Sequence, residues 1–122
     1  MPKKESFLVN RVKSVGYAFR GALLLVKTEA SIKIQFFIAL IMTAVGFYFN
    51  ISTTEWLIQI IAIGLVMSIE GLNTAIETMA DFIHPERHHK IGFIKDVAAG
   101  SVFFASIAAI IVAFIIYIPK MF

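Results

Sequence analysis

The chain contains no cysteine. That excludes a disulfide framework, a thiolate metal site and a cysteine nucleophile, and it leaves the redox compartment unmarked. Charge is scarce as well: Asp, Glu, Lys and Arg make up 16% of the 122 residues, against roughly 25% in soluble domains. Neither G-x-x-x-x-G-K-[ST] nor G-x-G-x-x-G occurs, so a nucleotide would find no P-loop and no glycine-rich kinase cradle here. The abundant material is apolar, 59% of residues, with a mean hydropathy of +0.86. A soluble domain of this size exposes much of its surface and needs polar side chains to cover it. The composition therefore argues against a soluble globular enzyme, a disordered tail and a nucleic-acid-binding module. The net charge of +3 marks the cytoplasmic side of a membrane in this reading, and no nucleic-acid partner is expected.

Ile34 to Thr54 is uncharged for 21 residues, and Val97 to Pro119 for 23. A bilayer core of about 30 Å is crossed by about 20 apolar residues in a helix, so both read as transmembrane. A third span starts at Trp56 and keeps its apolar pattern through Glu70, Glu77 and Asp81. Residues 6 to 28 differ: Phe7, Leu8, Val12, Val15, Phe19, Ala22, Leu23 and Val26 recur at three- and four-residue steps, with Arg11, Lys13, Arg20 and Lys27 largely between them. That is the pattern of an amphipathic helix lying in the headgroup region, and Gly16 and Gly21 are expected to bend or break it. The expected fold class is an all-α membrane protein, an N-terminal amphipathic surface helix plus three transmembrane helices. It forms one domain over 1–122, with the surface helix at about 6–28 and spans at about 32–50, 55–83 and 94–119.

Seven of the eleven basic residues precede the first span (Lys3, Lys4, Arg11, Lys13, Arg20, Lys27 and Lys33), and Arg87, Lys90 and Lys95 lie between the second and third. The loop between the first two spans has none, so the positive-inside rule places the N-terminus and the second loop in the cytoplasm and the C-terminus, with Lys120, outside. In that loop, Ser52 with Glu55 three residues later reads as a capping box. Tyr48, Trp56 and Tyr117 read either as an interfacial aromatic belt or as packing residues.

Glu70, Asn73, Glu77 and Asp81 fall within roughly 60° of one line at 100° per residue and make a polar stripe about 16 Å long. Each carboxylate at membrane depth costs at least about 2.5 kcal/mol, so the stripe must face protein, water or a cation. Three uses fit: divalent metal binding, general-base chemistry by a desolvated carboxylate, and proton or cation transport. The plain alternative is pairing with basic residues to specify packing. Glu29 and the pair Lys95-Asp96 can converge on the cytoplasmic end of the stripe, an assembly suited to phosphoryl transfer. Taken singly, Glu29 also reads as a surface acid, Lys95 as a snorkelling anchor and Asp96 as a helix-dipole partner. The loop His84-Pro85-Glu86-Arg87-His88-His89-Lys90 lacks an H-E-x-x-H helix and does not read as a zinc site; with Arg87 and Lys90 its histidines can approach phosphates. The acids gather at one interface and do not cross the midplane as a chain. That favours an interfacial reaction over a transporter subunit, and a non-catalytic assembly subunit would bind no nucleotide.

The run Glu70-x-x-Asn73-Thr74-Ala75-Ile76-Glu77-x-x-x-Asp81, followed by Lys95-Asp96-x-Ala98-Ala99-Gly100, closely resembles the prokaryotic diacylglycerol kinase family, which includes undecaprenol kinases. Gly16 to Gly21, Thr28-Glu29-Ala30 and Ile118-Pro119-Lys120 extend the resemblance over nearly the whole chain. It implies a small homotrimeric integral-membrane kinase of the bacterial cytoplasmic (inner) membrane. Such an enzyme transfers the γ-phosphoryl group of ATP, with Mg²⁺, to a lipid hydroxyl and serves phospholipid biosynthesis. By matching position, Glu70 is the general base, and Glu29 and Glu77 are metal ligands shared with ATP. Asn73, Lys95 and Asp96 hold phosphates, while Tyr17, Glu86, Arg87 and His88 contact the nucleotide. Where the family often carries Arg in the surface helix this chain has Asn10, with Arg11 next; neither is assigned to the site. Undecaprenol is favoured as the acceptor over diacylglycerol, on the wording of Glu70 to Glu77 and the Ile118-Pro119-Lys120 ending.

Overall fold

The structure, a computed structural model, describes residues 6–122. Lys3 and Lys4, counted above among the N-terminal basic residues, lie outside the described residues. Four helices follow one another: α1 (Phe7–Thr28), α2 (Ala30–Phe49), α3 (Thr53–Ile83) and α4 (His89–Met121). The last three are long and apolar enough to cross a membrane, and α1 precedes them. Polar side chains do not cover this bundle. Phe36, Phe37, Phe103, Phe104 and Phe114 all stand exposed on it, an arrangement that water penalises and a bilayer accepts.

Each boundary has a local cause. Ser6 caps α1, its side-chain oxygen accepting from the Val9 N–H at 3.2 Å. The helix then runs through Gly16 and Gly21 without the break that was one of the two expectations there. A mid-helix glycine costs about 1 kcal/mol, too little to interrupt 22 residues held by their own hydrogen bonds. At the end of α2, Asn50 adopts the left-handed conformation (φ 52°, ψ 54°) and the Ile51 N–H reaches back to the Gly46 carbonyl. Ser52 and Glu55 then form the expected capping box: Glu55 N–H donates to Ser52 Oγ at 3.1 Å, and Ser52 N–H to Glu55 Oε1 at 2.9 Å. At α4 the structure departs from the expected start near residue 94. His88 Nδ1 accepts from the Lys90 N–H at 3.1 Å, and this cap starts the helix at His89.

A buried hydrophobic cluster lies at the end of the bundle that carries the α2–α3 turn. Ile51, Ile116 and Tyr117 are buried there against Met42, Val45, Phe49 and Trp56. Buried Gln59 joins three helices: its Nε2 donates to the Met42 carbonyl of α2 at 3.1 Å, and its Oε1 accepts from the Tyr117 hydroxyl of α4. Glu55 Oε2 accepts from Lys120 Nζ at 3.0 Å, fastening the two span ends. Trp56 and Tyr117 are thus packing residues, whereas Tyr48 is 83% exposed and remains suited to the interfacial belt.

Gly46 is obligatory in this corner. A Cβ there would lie 2.6 Å from Trp56 Cη2, 2.9 Å from Trp56 Cζ2 and 3.2 Å from Ile51 Cδ1. The indole is rigid and buttressed, so it must move as a unit. Gly46→Ala is expected to destabilise the fold by about 1–3 kcal/mol, read as a lower thermal midpoint in detergent; an unchanged midpoint would refute this packing. Tyr117→Phe removes the hydroxyl that serves Gln59 Oε1 and is expected to cost about 1 kcal/mol by the same measurement.

Candidate active site

The far end of α3 breaks the pattern of an ordinary span. Its four buried residues are Gln59, Glu70, Asn73 and Ala80, three of them polar or acidic. Gln59, Glu70, Asn73 and Glu77 share one line of the helix, so the acidic stripe continues the inward face. Glu70 and Asn73 are each only 8% exposed, Glu77 is half-buried and Asp81 is exposed. The stripe therefore grades from protein interior to solvent, and its first carboxylate is the most desolvated. α4 lies along α3 with Ala98 and Ala105 buried, small side chains that let the two backbones approach.

Within the stripe, Asn73 Nδ2 donates to Glu77 Oε1 at 3.1 Å. That bond leaves Asn73 Oδ1 buried and without a partner. An orphaned acceptor costs about 1–3 kcal/mol, which is a reason to expect a ligand there. Among the described residues no three of His, Asp and Glu gather closely enough to hold a metal unaided.

Glu29 is the extended residue between α1 and α2 (φ −98°, ψ 117°). Its N–H closes α1 on the Leu25 carbonyl and its own carbonyl receives the Lys33 N–H, both at 3.0 Å. It stands at the α2 N-cap, yet its carboxylate makes no capping bond there and is free for other work. Leu25, one turn earlier, meets α3 beside Glu70: a Cβ on Gly71 would lie 3.1 Å from Leu25 Cδ1. The end of α1 is thus docked one residue from the proposed base.

The α3–α4 connection forms an open cleft of about 530 Å³, lined among others by Asp81, His84, Glu86, Arg87, His88 and Lys95. Three of the sequence-proposed nucleotide contacts, Glu86, Arg87 and His88, therefore share a wall with Lys95. Two of the imidazoles make hydrogen bonds. His84 Nδ1 is 2.8 Å from the Glu86 carbonyl, which can only accept, so Nδ1 carries the proton. His88 Nδ1 accepts from a backbone N–H, so its proton sits on Nε2. The His88 ring stacks on His89 at 4.7 Å and meets His84 edge-on at 5.2 Å. Tyr17 stands apart, 64% exposed on α1 with the Arg20 guanidinium 5.8 Å from its ring centroid, and does not line this cleft. Asp96 is exposed and also outside it. Arg11 Nη2 donates to Asn10 Oδ1 at 3.2 Å, far down the surface helix.

Two features escaped the sequence reading. Lys95 pairs across the helices with Asp81, at 2.5 Å, and not with its neighbour Asp96. The opposite charges near facing ends of consecutive helices were the available signal. The capping role of His88 was the other, signalled by a polar residue just before the apolar run resumes.

These features belong to a known class. The family model for prokaryotic diacylglycerol kinase matches residues 16–117, and the chain belongs to that family of membrane lipid kinases. An undecaprenol kinase of Bacillus subtilis is 34% identical over 109 residues, covering 89% of each chain. A diacylglycerol kinase of Haemophilus influenzae is 33% identical over 102 residues, 84% of this chain and 86% of that one. The diacylglycerol kinase of Escherichia coli K12 is 29% identical over 100 residues, 82% of each. The chain is thus a lipid-alcohol phosphotransferase with a nucleotide co-substrate.

Proposed function

We propose that the chain is an ATP- and Mg²⁺-dependent kinase that phosphorylates the hydroxyl of undecaprenol in the bacterial cytoplasmic membrane. One domain over 1–122 carries the activity, as a homotrimer with the N-terminus in the cytoplasm and the C-terminus outside. The observation that carries this reading is the buried Glu70 on the same helix face as the hydrogen-bonded pair Asn73 and Glu77. A carboxylate held on that face can accept the proton of a hydroxyl placed beside it.

The residues fit the ion. Mg²⁺ takes oxygen ligands and is held by one or two carboxylates plus substrate phosphates. Glu77 and the uncommitted carboxylate of Glu29 supply two such groups, and the unpartnered Asn73 Oδ1 supplies a neighbouring oxygen for the ion or for a water in its hydration shell. Bound there, the ion would neutralise phosphate charge. Glu70 accepts the proton of the lipid hydroxyl as its oxygen bonds the γ-phosphorus. The bond from that phosphorus to the β,γ-bridging oxygen breaks, and ADP departs. Lys95 and Asp96 order the phosphates; Tyr17, Glu86, Arg87 and His88 contact the rest of the nucleotide.

The acceptor is assigned to undecaprenol on the sequence wording of the stripe, with the Bacillus undecaprenol kinase among the similar chains. The Haemophilus diacylglycerol kinase is nearly as similar, so diacylglycerol is the second acceptor to be tested. The test supplies purified protein in vesicles with MgATP and either lipid. Faster phosphorylation of undecaprenol is expected. An equal or higher rate on diacylglycerol overturns the acceptor assignment, and transfer to neither overturns the kinase reading.

A further inference from the structure

Asp81 is placed where its own helix disfavours it. Asp81 lies in the last turn of α3, at the negative end of its macrodipole, whereas Lys95 lies in the second turn of α4, beyond the reach of the dipole at that end. Their pairing crosses from α3 to α4, and both residues line the loop cleft. The side chains are 59% and 36% exposed, so water screens the pair and it adds little to folding stability. Stability alone does not account for an acid kept at the disfavoured end of α3.

An ammonium has three donors and a helical side chain leans towards the N-terminus of its helix. Lys95 Nζ is therefore carried back over the first turn of α4, towards the cleft, and the Asp81 carboxylate takes one donor. Two donors are left for another acceptor. A free lysine chain carries much rotamer entropy, a large part of which an anchored one has already lost.

We propose that Asp81 is a positioning residue for Lys95, holding its ammonium at the cleft so that the remaining donors meet phosphate oxygens of the nucleotide. This rests on the kinase reading above and adds to it a residue that contacts Lys95 and not the substrate. The alternative role for Asp81 predicts the opposite sign. The charged groups lining the cleft are Asp81, Glu86, Arg87 and Lys95, two of each sign, with His84, His88 and His89 as the other titratable groups. Removing the Asp81 charge makes the cleft more positive, so simple electrostatics would tighten the binding of a polyanion. Loss of positioning would weaken it.

The experiment measures the affinity of a non-hydrolysable ATP analogue with Mg²⁺, in the absence of lipid acceptor. It uses wild type, Asp81→Asn, Lys95→Gln and the double variant. Asp81→Asn is expected to weaken binding by roughly three- to fivefold. Lys95→Gln should weaken it by about tenfold or more, and the double variant no further than Lys95→Gln alone, because Asp81 acts through Lys95. Asp81→Glu, which keeps a carboxylate on a longer arm, should recover to within about twofold of wild type. Equal thermal midpoints among the variants establish that the fold is intact. Unchanged or tighter binding by Asp81→Asn overturns the proposal, as do losses that multiply in the double variant. A wild-type chain that binds no nucleotide overturns the kinase reading itself, a result distinct from either.

Discussion

Glu70→Gln is expected to lower the rate of lipid phosphorylation by roughly 10²–10⁴-fold, the range of a lost general base. The substitution is nearly isosteric and the site is 8% exposed, so the fold should persist. Because an amide is easier to bury than a carboxylate, the thermal midpoint should stay level or rise. Nucleotide affinity should change little, since the base acts on the hydroxyl and not on the phosphates. The informative measurement is therefore a pair: turnover collapses while ATP-analogue binding stays near wild type. Full activity in Glu70→Gln would contradict the base assignment. A parallel collapse of binding would instead move Glu70 to the nucleotide.

The second large effect is expected at Glu77. In Glu77→Gln, the amide oxygen can still accept from Asn73 Nδ2, so the local hydrogen bond survives while the charge does not. If Glu77 serves as a ligand shared with ATP, activity should fall by roughly 10–100-fold at ordinary Mg²⁺ and recover in part when Mg²⁺ is raised. Glu29→Gln should behave in the same way, because Glu29 is assigned to the same ion from the junction of α1 and α2. Losses that excess Mg²⁺ leaves unchanged would mean that these carboxylates orient protein and not metal.

Much of this architecture was legible in the residues. Apolar runs long enough to cross a bilayer set the three spans. The Ser52–Glu55 spacing announced the capping box at the head of α3. The three- and four-residue apolar period marked α1. The inward placement of Glu70 and Asn73 followed from helical arithmetic joined to the cost of burying charge. Other features depended on interactions that a linear reading does not price. Propensity predicts a bend or a break at Gly16 and Gly21, and the hydrogen bonds of an intact helix outweigh the break. α4 starts earlier than its apolar pattern predicts because His88 is an uncommon cap, and its ring nitrogen does work usually given to Ser or Asp. Lys95 was grouped with its neighbour Asp96, yet adjacent positions on a helix do not face each other, and the partner came from the preceding helix. Gln59 carries no motif in the sequence, although its bonds to Met42 and Tyr117 tie three spans together. The orphaned Asn73 Oδ1 is visible only once Glu77 has claimed the amide nitrogen.

The central claim is that the charged end of α3 receives a nucleotide from the cytoplasmic side and passes its phosphoryl group to a lipid within the bilayer. It is tested most directly in sealed vesicles of known protein orientation that contain undecaprenol, with radiolabelled ATP and Mg²⁺ supplied to one side at a time. The account predicts labelled lipid phosphate only when ATP reaches the side bearing the N-terminus and the α3–α4 loop, and none in Glu70→Gln vesicles. Labelling from the opposite side, or ion flux without ATP and no labelled lipid from either side, would contradict it.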